Sequence, residues 1–217
     1  MPGSNMNDLI LYAVNILGAG EDDLKRLMYE GISQERREKA ERYRFFDDRL
    51  RCVAAERLLR FGLKERGINE NEVNIKYGLH NKPRLYGNQM PFFNISHSGK
   101  WVICALSDIE AGCDIETIKK AEMGVAERFY GKDEYLSLLE TPEGDMRDRA
   151  FFRYWTRHES YGKYTGEGFT DRVDEDSVVF YEPEIDPGYA CSVCVGKESV
   201  SNGMKEPEIR VRDIWEI

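Results

Sequence analysis

Residues 92–106 read Phe92-Phe93-Asn94-Ile95-Ser96-His97-Ser98-Gly99-Lys100-Trp101-Val102-Ile103-Cys104-Ala105-Leu106. The runs 92–96 and 101–106 are rich in β-branched and aromatic types, and the residues between them carry tight-turn chemistry. The pattern predicts a β-hairpin turning at His97-Ser98-Gly99-Lys100. Downstream, residues 112–117 predict a further strand. Helical patterns follow at 121–130, 132–139 and 145–164, the last ending near Gly166. Upstream, residues 9–16 predict a strand, and Ser33 caps a helix running to about residue 46. Asp47 or Asp48 caps another, with an apolar stripe of Val53, Leu58, Leu59 and Phe61 and a stop near Gly62 or Gly67. Residues 73–77, 178–181, 189–195 and 208–211 complete the strands.

Strand, helices, strands therefore occur twice. That order predicts an α+β chain of two similar halves with mainly antiparallel sheets. The expected division is 1–108 and 109–217, with a cleft between the halves.

A length of 217 residues supports a substantial core without disulfide staples. The formal charge of −9 argues against general nucleic-acid binding, which leaves a basic footprint. No run of 18 or more apolar residues is present, so no membrane span is expected. The first residues show no basic-then-apolar leader, and five scattered cysteines fit a reducing compartment. The expected location is the cytoplasm. Cys191 and Cys194 have C-x-x-C spacing, but on a strand they face opposite ways, and packing cysteines are expected.

Three segments carry chemistry. Asp114 and Glu116, two apart on a strand, project from one face about 7 Å apart. They suit a hard divalent cation such as Mg²⁺, or simply an acidic strand face. Glu159 and Lys163 share one helix face, as a surface pair worth about 0.3–0.5 kcal/mol or as a base and a cation beside phosphate. Trp155, one turn earlier on that face, favours an inward orientation. Ser96-His97-Ser98-Gly99 suits anion binding better than nucleophilic catalysis: Ser96 and His97 project to opposite sides, and no Gly-x-Ser-x-Gly elbow exists. A P-loop is also missing, which disfavours a generic nucleotide enzyme.

The chain resembles the 4′-phosphopantetheinyl transferases of the surfactin-synthetase-activating type, within the holo-carrier-protein synthase superfamily. The resemblance rests on Ser33-Gln-Glu-Arg-Arg-Glu-Lys39, Arg51 ahead of 54–60, Asn81-Lys82-Pro83 and Phe93–Trp101. It continues through Gly112–Glu116, Trp155–Lys163 and Asp186-Pro-Gly-Tyr189. It implies a pseudo-twofold fold with coenzyme A in the cleft. It also implies transfer of 4′-phosphopantetheine to a serine of an apo acyl or peptidyl carrier protein, releasing 3′,5′-adenosine bisphosphate. The implied metal ligands are Asp114, Glu116 and Glu159, holding Mg²⁺ or Mn²⁺. The implied catalytic residues are Glu159, taking the serine proton, and Lys163, stabilising the leaving phosphate. Arg36, Lys39, Arg51, Lys82, Ser96, His97 and His158 are the implied coenzyme A contacts. Residues 129–135 fall where the family meets its carrier, with Glu134 as a subsidiary acid–base group. A monomer is expected, and the alternative is a non-catalytic coenzyme A or carrier-binding module of the same fold.

Two positions depart from the family pattern. His158 stands where lysine is common, which predicts weaker coenzyme A binding at high pH and a lower KM on His158→Lys. Asn81 stands where glycine is frequent.

Overall fold

The computed structural model describes residues 9–69, 72–78 and 82–217; Asn81 lies outside them. In chain order the elements are β1 (Leu9–Asn15), α1 (Glu21–Tyr29), α2 (Gln34–Glu41), α3 (Phe46–Glu65), β2 (Ile75–Tyr77), β3 (Pro83–Leu85), β4 (Phe92–Ser98), β5 (Trp101–Ser107) and β6 (Ala111–Thr117). There follow α4 (Met123–Phe129), α5 (Lys132–Glu140), α6 (Asp145–Thr165), β7 (Val178–Tyr181), β8 (Tyr189–Gly196), α7 (Lys197–Ser201) and β9 (Glu208–Asp213).

Alternation along the strands builds the layers. On β1 the residues Ile10, Tyr12 and Val14 face the helical core around α3, with Val102, Cys104 and Leu106 of β5. Leu9, Leu11 and Ala13 face the other way with Trp101, Ile103 and Ala105, against Cys113 and Ile115 of β6 and Val193 and Val195 of β8. Both faces of β5 are thus covered, which is why residues 102–106 are apolar without a break. The even-numbered residues of β6 turn to α6, whose Ser160 hydroxyl meets that of Ser192 on β8 at 3.0 Å. The result is helix on sheet, twice, back to back. This is the pseudo-twofold α+β fold expected from the order of elements.

One sheet runs β4-β5-β1-β9 and the other β6-β8-β7, with β2-β3 as a small third. Pairing is antiparallel except for β1 with β9. Through that pair β9, at the end of the chain, joins the first sheet and ties the C-terminal residues to the first half. Of the two expected stops for α3, the helix passes through Gly62, where a side chain would collide with the Tyr12 ring. The glycine is there for close packing, and the helix ends just before Gly67. Its Leu50, Leu58, Leu59 and Leu63 are buried, each contributing roughly 2 kcal/mol of hydrophobic stabilisation. The cap is Phe45, with Asp47 and Asp48 inside the first turn.

Helix α2 stops at Glu41, short of the expected residue 46. Helix α1, strand β3 and α7 were not expected. All five cysteines are buried and unbridged, in keeping with a packing role.

Candidate active site

The edge strands of the two large sheets, β4 and β6, are stitched together by polar side chains spaced two apart on β4. Asn94 accepts the Cys113 backbone N–H at 2.8 Å, Ser96 donates to Asp114 Oδ1 at 2.6 Å, and Ser98 donates to Glu116 Oε2 at 2.7 Å. The two serines of the turn segment, expected as free anion donors, thus serve first as a seam between halves. Their period-two spacing was the signal for it. Arg51 and Asp186 brace the hairpin turn. Arg51 donates to Gly99 O at 2.7 Å and pairs with Asp48, while Asp186 holds Lys100 Nζ and Trp101 Nε1.

Beside the seam lies a cleft of about 550 Å³. Asp114, Glu116 and Glu159 line it, as do Lys163, Ser96 and His97. Arg36, Lys39 and Lys82 form the rest of its charged wall. Nine of the eleven expected site residues therefore meet in one cavity.

Lys163 does not pair with Glu159, its neighbour one helical turn away. It reaches Asp114 Oδ1 on β6 at 2.6 Å and, across the seam, Ser96 Oγ on β4 at 3.0 Å. Burial draws its pKa down, but Asp114 outweighs this and the net shift is upward. Among the described residues, Glu159 holds no ion pair. Burial lifts its pKa above the usual carboxylate range, Asp114 adds to the lift and Lys163 opposes it. Glu116 is raised as well, by burial and by Asp114, against the Ser98 hydrogen bond. Asp114 is 2% exposed, and its Oδ2 is buried without a hydrogen-bond partner. Among the described residues, no three acidic or imidazole groups are already gathered as a metal cage. Lys82 has its ammonium on Glu110 Oε1 at 2.5 Å and on Tyr164 O at 2.8 Å, so its charge is partly spent on protein.

Arg51 and His158 do not line the cleft. His158 is 1% exposed and sits between the rings of Tyr130 and Phe169. Its Nδ1 is 2.7 Å from Thr170 O and its Nε2 is 2.8 Å from Glu134 Oε2. Both partners are acceptors, so the ring serves them best as an imidazolium donating from both nitrogens. Burial pulls its pKa down, yet the bonds to Glu134 and Thr170 more than offset this and raise it. This burial turns His158 away from the cleft lining and gives it protein partners where a contact with coenzyme A was expected. Glu134 is likewise engaged, with the same oxygen accepting the Gly131 backbone N–H at the start of α5.

His158→Lys is expected to leave KM for coenzyme A unchanged and to cost about 2–4 kcal/mol, because a buried hydrogen-bonded charge loses its partner geometry. Equilibrium urea denaturation checks this. The imidazolium contribution is full below the ordinary pKa of about 6.5 and fades as pH rises through the raised value. The stability gap between wild type and His158→Gln should therefore narrow upward from pH 6.5; a constant gap would refute the charged ring.

One carboxylate-rich seam thus faces a cationic wall across the cleft. Comparison with known sequences gives the family. A model of the 4′-phosphopantetheinyl transferase superfamily matches residues 110–198, and one of the 4′-phosphopantetheinyl transferase N-terminal region matches residues 21–108. The 4′-phosphopantetheinyl transferase ffp of Bacillus subtilis is 32% identical, over 82% of this chain and 87% of its own. The corresponding enzyme psf-1 of Bacillus pumilus is 34% identical over 78% and 81%. Sfp of Bacillus subtilis strain 168 is 32% identical over 75% and 81%. This chain belongs to the 4′-phosphopantetheinyl transferase family and is an enzyme of that type, moving phosphopantetheine to a carrier protein.

The buried Glu56 was missed. Its signal was a carboxylate in the apolar run Val53-Ala54-Ala55-Glu56 of α3, on a helix face that packing had to cover. No helix among the described residues is long and apolar enough to cross a membrane.

Proposed function

We propose that the cleft binds coenzyme A with its phosphates against Arg36, Lys39, Lys82 and His97. In this reading a serine hydroxyl of an apo acyl or peptidyl carrier protein attacks the phosphorus that carries pantetheine. The serine Oγ–P bond forms as the P–O bond to 3′,5′-adenosine bisphosphate breaks. Glu159, which holds no ion pair among the described residues and lines the cleft, takes the serine proton. Lys163, held between Asp114 and Ser96, faces the charge that gathers on the leaving phosphate.

The single observation that carries the reading is Asp114 Oδ2, a buried carboxylate oxygen with no protein partner, on a residue that lines the cleft. Hard-oxygen chemistry of this kind suits Mg²⁺, which takes one or two carboxylates and keeps places for water and phosphate oxygens. Asp114, Glu116 and Glu159 would hold the ion, with Mn²⁺ an acceptable substitute. When bound, the ion neutralises pyrophosphate charge. One chain supplies every wall of the cleft, which supports a monomer, and the substrate pair supports work inside the cell.

The test is incubation with apo carrier protein, coenzyme A and Mg²⁺, followed by the mass of the carrier. A phosphopantetheine adduct is expected that disappears with EDTA and falls at least about 100-fold in rate in Asp114→Ala. Binding of coenzyme A with no adduct would refute the proposal in favour of a non-catalytic module.

A further inference from the structure

Helix α2 carries two of the cleft's cations, Arg36 and Lys39, yet little in its own sequence anchors it. Eight residues are too few for a helix to be stable alone in water, and only Ala40 is buried. The anchor is on the next helix. Glu56 is 1% exposed, and both of its oxygens are in use. Oε1 accepts the Ser33 backbone N–H at 2.7 Å and Arg60 Nε and Nη2 at 2.9 and 2.7 Å. Oε2 accepts the Ser33 hydroxyl at 2.9 Å and Arg36 Nε at 3.4 Å.

Ser33 is also the N-cap of α2, accepting the Arg36 backbone N–H at 3.1 Å. The cap's backbone, its hydroxyl and the Arg36 side chain therefore all end on one carboxylate. Burial works against the charge of Glu56, but its bonds to Arg60 and Ser33 outweigh it and keep the group ionised. One carboxylate set against two guanidiniums leaves the cluster net positive where Arg36 lines the cleft.

We propose that Glu56 is a positioning residue for substrate binding: it orients Arg36, and the first turn of α2 with it, toward the phosphates of coenzyme A. This rests on the reading that Arg36 belongs to the coenzyme A site. Glu56 acts through Arg36, so its effect belongs in binding and not in the chemical step.

The experiment measures kcat and KM for coenzyme A, at saturating apo carrier protein, for Glu56→Gln, Arg36→Ala and the double variant. Loss of the charged acceptor is expected to raise KM about tenfold with kcat within about twofold. In the Arg36→Ala background, Glu56→Gln should add nothing further. Additive KM effects, or a fall in kcat at constant KM, overturn the inference. If Arg36→Ala raises KM while Glu56→Gln does not, the inference fails and the binding reading stands. If Arg36→Ala itself leaves KM unchanged, the binding reading fails and takes the inference with it. Should Glu56→Gln not fold, Ser33→Ala enters the same cycle. It removes one donor and the cap, and should raise KM about threefold only when Arg36 is present; a rise that persists without Arg36 overturns the inference.

Discussion

Glu159→Gln is expected to lower kcat for carrier modification by about a thousandfold, within the range for loss of a positioned general base. The amide keeps the shape of the side chain but cannot take a proton. KM for coenzyme A should change far less than kcat, because the cationic wall is untouched and two of the three carboxylates that would hold the ion remain. The pH profile supplies the second arm. Glu159 must be deprotonated to take the serine proton, so the wild-type rate should climb with pH as that carboxyl deprotonates. That limb should be absent in Glu159→Gln. A variant within about tenfold of wild type, or one with the limb intact, would assign the proton to another group.

The second large effect is on the fold. Gly112→Ala is expected to destabilise the protein by about 3 kcal/mol or more, since overpacking at a rigid contact forces backbone apart. A Cβ at residue 112 would strike the carbonyl oxygen of Ser160 and the backbone nitrogen of Tyr164, neither of which can swing aside. These atoms belong to α6, the helix that carries Glu159 and Lys163, so activity should fall with stability. Gly124→Ala makes the same chemical change inside α4 with nothing within 4 Å. It should be neutral or slightly stabilising, because alanine is the better helix former. Urea midpoints for the two variants decide the matter, provided the slopes match wild type. Equal effects at both sites would show that backbone entropy, not the β6–α6 contact, governs residue 112.

The same two regions show how much of the molecule could be read beforehand. β-Branched and aromatic residues at 101–106 predicted a hairpin strand, while its place between the α3 core and the second sheet came from packing. Spacing two apart on a strand placed Asp114 beside Glu116, and spacing four apart on a helix placed Glu159 beside Lys163; all four line the cleft. What those spacings could not supply was the opposite wall. Lys163 bonds Asp114 because β6 and α6 are packed together, a relation between residues 49 apart in the chain. His158 follows Lys163's helix but turns to Glu134 and Thr170, because α5 and the chain after α6 close over that side.

By itself the sequence determined the periodicities, most of the strand and helix order, the face shared by Asp114 with Glu116 and by Glu159 with Lys163, and the family. These are local properties, set by backbone geometry and by which residues water rejects. Only the tertiary structure decided partners: Ser96 and Ser98 as a seam, β9 returning to the first sheet, and Glu56 beneath Arg36. Hydrogen bonds and ion pairs need two groups within about 3 Å. Side-chain direction along one segment fixes only one of the two.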